Sequence, residues 1–404
     1  MELVSPAGNL EKLKYAYRYG ADAVYIGIKN FSLRTKADNF KGDEWEEIRN
    51  IKGNKKLYGA LNISFHNQDL KRLEQELDYL EFYPFDAFII SDLGILPLLK
   101  KRFPRVALHL STQANCTNRE AARIYRDLGF QRIIPGREVS LEEIAEIKET
   151  VPELEIEIFV HGAMCLAYSG RCFLSAWMAG RSANQGHCAH ACRWNYRVLE
   201  EAERPGEYYP LLETGEYTTI LSSKDLCMID HLKEIQRAGV DALKIEGRMK
   251  SLYYTAVVTR AYRKQIEALT GEEVPDLPVY REDVFRVSHR EYCTGFYFGR
   301  DSVEHPAGPF YKEHHTFIGI IGNRNTEGLY ALDLRNCLVV GEPVEYIGPQ
   351  ISKLFDNSFL LYTEEGNPVK EASHGHRVWI KPGVSVEEGF LIRKTSEELR
   401  ETYD

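Results

Sequence analysis

At 404 residues the chain has room for one domain of about 250 to 300 residues and a smaller second one. Its 44% hydrophobic and 27% charged content is that of an ordinary globular protein, with no basic-apolar leader pattern and no apolar run of the roughly 18 residues that a membrane span needs, so a cytoplasmic protein with no membrane partner is expected. The formal net charge of −9 argues against indiscriminate attraction to phosphate backbones, and in a reducing compartment the eight cysteines read as metal ligands sooner than as disulfides.

The first unit sets a theme. LVSPAG reads as a short strand, Asn9 as the cap of a helix with Leu10, Leu13 and Tyr17 on one face, and Gly20 as its stop. ADAVYIG follows as a second buried strand, and the same joint returns as GVDALKIEG at 239–247, with a looser echo at 84–91. Apolar strand-like runs fall at 2–4, 23–26, 57–63, 87–90, 107–110, 132–134, 155–160 and 242–245. Helical patterns at 68–80, 93–102, 118–128 and 140–149 separate them, the last opened by a Ser140/Glu143 capping box. Eight such repeats over about 250 residues predict a (β/α)8 barrel of the TIM type, with a doubly wound sheet as the competing arrangement.

In such a barrel the active face lies at the strand C-termini. Ser5, Asn62, Ser64, Ser91, Asp92, Ser111, Thr112, Gln113, Asn115, Arg137, Glu138, His161, Glu246, Arg248 and Lys250 all fall there. Any one of them alone is more often a cap or turn residue. His161 reads equally as an acid/base group or a packing histidine. Lys244, Arg248 and Lys250 form a positive patch suited to a carboxylate or phosphate, the bland reading being a solvated face with Lys244 paired to an acid.

Between the seventh and eighth strands the spacing expands to an insertion, 161–230, too long for an ordinary crossover. It carries Cys165, Cys172, Cys188 and Cys192 with C-x6-C-x15-C-x3-C spacing, followed by a hairpin-like stretch at 196–220, LSSKDLC and a helix over 230–238. Four thiolates are the number that a zinc ion or an iron-sulfur cluster takes. His187 and His190 keep a mixed zinc site open, and Cys227 is a fifth candidate ligand. Cys116, Cys293 and Cys337 lie apart and read as structural. No H-E-x-x-H or G-x-S-x-G stands anywhere in the chain. The domain layout expected is a barrel over 1–270, a linker and crossover over 271–314, and a small antiparallel β-barrel over 315–395, built from TFIGIIG, LYALDL, EPVEYI, SFLLY and HRVWIK.

LVSPAG, GADAVYIG, HLSTQAN, EIEIFVHGAMCLAYSGRCFLS, NQGHCAHACRW, SSKDL and LKIEGRMKSLYY together resemble the collagenase-like peptidase family U32, over nearly the whole chain. Within it the sequence is most similar to the subgroup that hydroxylates tRNA. The resemblance implies a barrel carrying a 4Fe-4S cluster and an oxygen-independent hydroxylation of the tRNA wobble uridine to 5-hydroxyuridine, with prephenate as co-substrate and zinc the less favoured metal. Carried across, the cluster ligands are Cys165, Cys172, Cys188 and Cys192, with Cys227 the alternative fourth. His161 and Glu246 are the expected catalytic pair, and Arg137, Lys244, Arg248 and Lys250 the expected substrate-binding set. The partners expected are tRNA and either a shorter family member or a second copy. The alternative functions are a U32-type peptidase and a non-catalytic RNA-binding partner.

Overall fold

The computed structural model describes residues 1–34, 40, 44–165, 172, 174–193, 212–214, 217–219, 223–299 and 311–402. It divides into two units, Met1–Glu272 with Arg290–Pro309, and Glu273–His289 with Phe310–Asp404.

Eight parallel strands form the first unit: β1 (Glu2–Ala7), β2 (Ala23–Gly27), β3 (Lys56–Leu61), β4 (Ala87–Ile90), β5 (Ala107–Leu110), β6 (Arg132–Ile133), β7 (Glu155–Ala163) and β8 (Ala242–Ile245). Each pairs with the next in chain order except that β7 pairs directly with β8 across the insertion, and β8 pairs with β1, so the barrel closes as expected. Helices α1 (Leu10–Arg18), α2 (Trp45–Lys52), α3 (Asn67–Leu80), α4 (Leu96–Arg102), α5 (Arg119–Asp127), α6 (Leu141–Thr150), α7 (Leu232–Arg237) and α8 (Leu252–Leu269) follow the strands. Local signals fix their ends: Asn9 Oδ1 accepts from Lys12 N at 3.0 Å, and Ser140 and Glu143 form their reciprocal box. Gly20 ends α1 with φ +109°, where a Cβ would meet the Arg263 side chain at 2.7 Å.

The barrel interior departs from the aliphatic filling usual for this fold. Glu157, fully buried, receives Lys244 Nζ at 2.6 Å on one oxygen and an Arg132 guanidinium nitrogen at 2.8 Å on the other. Arg132 also reaches Glu2 at 2.7 Å and Glu155 at 2.6 Å. Burial alone would raise the Glu157 pKa, but Lys244 and Arg132 outweigh it and hold the carboxylate ionised. Beside this network His109 packs edge-on against Tyr58 and is kept neutral, chiefly by burial and then by Arg132.

A short strand, Asp225–Cys227, runs antiparallel to the end of β7, and Tyr292–Cys293 pairs with it in turn. Of the hairpin expected over 196–220, strands Leu212–Thr214 and Tyr217–Thr219 pair antiparallel, and the rest lies outside the described residues.

The second unit is an antiparallel sheet of β9 (Tyr311–Arg324), β10 (Tyr330–Leu334), β11 (Val344–Ile347), β12 (Leu354–Asp356), β13 (Leu360–Thr363), β14 (Pro368–Val369), β15 (Val378–Lys381) and β16 (Leu391–Thr402). The order is β12-β11-β16-β9-β10-β15-β13-β14, and the described edge strands β12 and β14 are not joined, so the expected small barrel is a half-barrel. Its apolar face gathers Ile318, Leu332, Tyr346, Phe359, Ile380 and Ile392. Next to Ile392 along the same strand, Arg393, with no solvent exposure, holds Asp283 at 2.9 Å and Glu345 at 2.8 Å.

Candidate active site at the barrel mouth

A cavity opens at the C-terminal ends of the strands, where the fold predicts one. Arg34, Arg137, Lys244 and Arg248 line it together with Glu246 and Tyr25. Asn62, Ser111, Thr112 and Gln113 supply polar rim. Four of the expected residues, Arg137, Lys244, Glu246 and Arg248, therefore meet in one place.

Glu246 is the hub. Tyr25 Oη donates to its Oε2 at 3.2 Å, and Arg34 Nε stands 3.5 Å from its Oε1. Burial pushes the Glu246 pKa up, yet Arg34, Arg137 and Arg248 together prevail and hold it ionised. One carboxylate among four cations leaves the cavity positive, even with Lys244 committed to Glu157. Such a surface suits an anionic ligand.

The cations differ in how they are held. Arg248 is buried, donating to Ser32 Oγ at 2.5 Å and to the Leu33 carbonyl, so it pins the loop that follows β2. Arg137 donates to the Ala163 carbonyl at 2.7 Å and lies 4.1 Å over the Phe159 ring. Arg34 is the most accessible, its side chain 38% exposed, and its backbone sits at φ +74°, a left-handed conformation rare for a side chain of that size. Sequence reasoning missed Arg34: it lies in an aperiodic loop, and nothing in the residue pattern shows that Arg248 will fold that loop over the barrel mouth. Lys250 is not among the lining residues; its Nζ lies 5.6 Å over the Tyr254 ring.

His161 also does not line the cavity. Opposite β8 the register slips, Lys244 facing Phe159 but Ile245 facing His161, so two residues of β7 oppose one of β8. This bulge turns His161 away from the side of Phe159 and toward α8. There it is 1% exposed, with Tyr292 Oη 3.2 Å from Nε2, Tyr262 Oη 3.4 Å from Nδ1 and Tyr254 alongside. It packs among these tyrosines, outside the lining of the cavity. Ser5 likewise turns to α8, bonding Thr259 at 2.6 Å.

Among the described residues no cysteine is joined in a disulfide. Cys165 is exposed, while Cys172, Cys188, Cys192 and Cys227 are half-buried. The turns that carry them are tied locally: Cys172 N donates to Asn184 Oδ1 at 3.3 Å, Ala189 N to Ser175 Oγ at 2.8 Å and His190 N to Cys188 Sγ at 3.4 Å. Arg137, which lines the cavity, donates to the Ala163 carbonyl two residues before Cys165, so the cysteine segment leaves β7 at the cavity wall. Four reduced, soft donors in one segment beside a cation suit an anionic iron-sulfur cluster in number and chemistry. Among the described residues no three Cys, His, Asp or Glu side chains converge on a single-ion site. Cys227 faces His161 across the strand pair that leads directly to Cys165.

Residues 8–307 match the model of peptidase family U32, and residues 313–393 that of the peptidase family U32 C-terminal domain. The chain is 35% identical to tRNA hydroxylation protein P of Escherichia coli, covering 97% of this chain and 96% of that one. It is 37% identical to an uncharacterized protease of Methanocaldococcus jannaschii, over 98% and 99% of the two chains. It is 36% identical to the 23S rRNA 5-hydroxycytidine C2501 synthase of Escherichia coli, over 67% of this chain and 40% of that protein.

Proposed function

The chain belongs to peptidase family U32, and on that footing we propose that it is an RNA-hydroxylating enzyme. The reaction is an oxygen-independent, prephenate-dependent hydroxylation of the tRNA wobble uridine to 5-hydroxyuridine. The observation that carries this reading is the cation-lined cavity around Glu246, whose Arg137 bonds the carbonyl of Ala163 two residues before Cys165. Two RNA-hydroxylating relatives support the substrate class.

In this reading Arg34 and Arg137 bind the carboxylates of prephenate, and Arg248 keeps the Arg34 loop in place. Glu246 orients Arg34 and Tyr25 and is available to take or return a proton at the open side of the cavity. Tyr25 and Phe159 wall off water. Cys165, Cys172 and Cys188 would hold a 4Fe-4S cluster with either Cys192 or Cys227 as the fourth thiolate, and such a cluster would supply one-electron transfer at the site. A chain of net charge −9 must hold RNA through local cations such as these, not through its overall field.

Anaerobic purification with iron and sulfide analysis tests the cluster; a colourless protein holding one zinc rejects it. Single Cys→Ser variants identify the fourth ligand by which of Cys192 and Cys227 costs iron. Nucleoside mass spectrometry of tRNA from a deletion strain tests the substrate: 5-hydroxyuridine is lost and returns with the gene, and unchanged tRNA rejects the assignment.

A further inference from the structure

Lys244 has a position that binding an anion does not require. Its side chain is only 4% exposed yet lines the cavity; Nζ lies 4.3 Å from the centre of the Tyr25 ring and 5.7 Å from that of Phe159. A cation meant only to attract a carboxylate serves best at the rim, where Arg34 stands. Lys244 instead lies at the base, in an aromatic sleeve, with Glu157 2.6 Å behind it and Arg132 on that acid's far oxygen. Burial and neighbouring cations are the two conditions that make a lysine amine available as a nucleophile toward carbonyls. Burial is the dominant one here, and with Arg132 adding to it the Lys244 pKa is lowered even though Glu157 pulls the other way.

We propose that Lys244 forms a Schiff base with the ketone of a 2-oxo acid whose carboxylate is held by Arg34 and Arg137. This rests on the reading of the cavity as the site of an anionic co-substrate and adds a covalent step to it. The step balances without any further reactant. Nζ first gives one proton to Glu157, the free amine adds to the ketone carbon, and the carbinolamine takes that proton back on oxygen and loses that oxygen as water; the C=O double bond becomes a C=N double bond, and the positive charge ends on nitrogen. Glu157, which now neutralises the ammonium, neutralises the iminium in the same place, so the buried network need not rearrange. The iminium then withdraws electrons from the neighbouring carbon of the ligand, the usual service of such a lysine.

The test uses pyruvate, the simplest 2-oxo acid, with the purified protein and borohydride, followed by intact mass and peptide mapping. One N-carboxyethyl group on Lys244 is expected. Lys244→Arg retains a cation for Glu157 and hence the buried pair, and labelling should vanish. Arg34→Gln should lower labelling about tenfold at sub-saturating pyruvate, the worth of one charge-assisted bond. Lactate, which has the carboxylate but no ketone, should compete without forming an adduct. No adduct, or equal labelling of the Lys244→Arg protein, overturns the proposal. If pyruvate and lactate still raise Tm without an adduct, the Lys244 step fails while the anion-site reading stands. If neither binds, both fail together.

Discussion

Arg34 and Glu246, from the loop after β2 and the end of β8, stand 3.5 Å apart at the barrel mouth, and the arginine keeps over a third of its side chain in water. With one partner this open to water, and Arg137 and Arg248 also facing Glu246, the Arg34 contact itself contributes little to stability, within about 1 kcal/mol, so its disposition is better explained by ligand exchange. Arg34→Gln should leave the denaturant midpoint nearly unchanged while raising the KM for the anionic co-substrate about tenfold or more, with a smaller effect on kcat. Equal loss of kcat with KM unmoved would remove Arg34 from ligand binding.

Gly162 holds the end of β7 at φ +109°, and a Cβ there would meet the Glu246 carbonyl oxygen at 2.4 Å. Gly162→Ala should therefore cost about 1–3 kcal/mol in urea unfolding and displace Glu246 from Tyr25. A neutral effect would mean the two strand ends separate easily.

Glu157→Gln leaves Lys244 and Arg132 buried without their shared counter-charge. A loss of about 3–5 kcal/mol is expected, read from denaturant midpoints or from the fraction of soluble protein. The double variant Glu157→Gln, Lys244→Met should recover part of it, and strict additivity of the two single changes would argue that the pair is not coupled.

The second unit should be acid-sensitive in two stages. Burial, then Arg393, pushes the His315 pKa down from 6.5 to about 4, so between those values the unfolded chain binds a proton that the folded one refuses. Stability accordingly falls as pH drops from about 6.5 to 4, by on the order of 1–2 kcal/mol. Glu345 adds a lower stage. Its burial would raise the pKa, but Arg393 and Lys353 bring it to about 2, so its contribution is complete above 4.5 and lost toward pH 2. Thermal melts of His315→Asn should flatten the upper stage alone.

Much of the barrel was legible because parallel strands buried on both sides appear as short apolar runs between capped helices, as in ADAVYIG and DALKIEG. The site was legible only in part. Lys244 in β8 and Glu246 just past its end announce themselves, but their partners Glu157 and Arg34 come from distant segments with no shared pattern. His161 was assigned to the active face from its place at a strand end alone, and position carries no account of a bulge, where one inserted residue reverses which way a side chain faces. In the second unit β12, β14 and β16 escaped notice: two are very short, and the longest is too charged to read as buried.

The charged interior also bears on how the barrel assembles. Glu2 arrives with the first strand, Arg132 with the sixth, Glu157 with the seventh and Lys244 with the last. Leucines in these places would stick to any apolar surface at hand, whereas each of these groups is costly to bury until its particular opposite is present. A barrel missing β8, or one in which a strand has entered out of order, would enclose an unanswered charge. The interior thus acts as a check on its own completion, rewarding only the ring in which first and last strands have met.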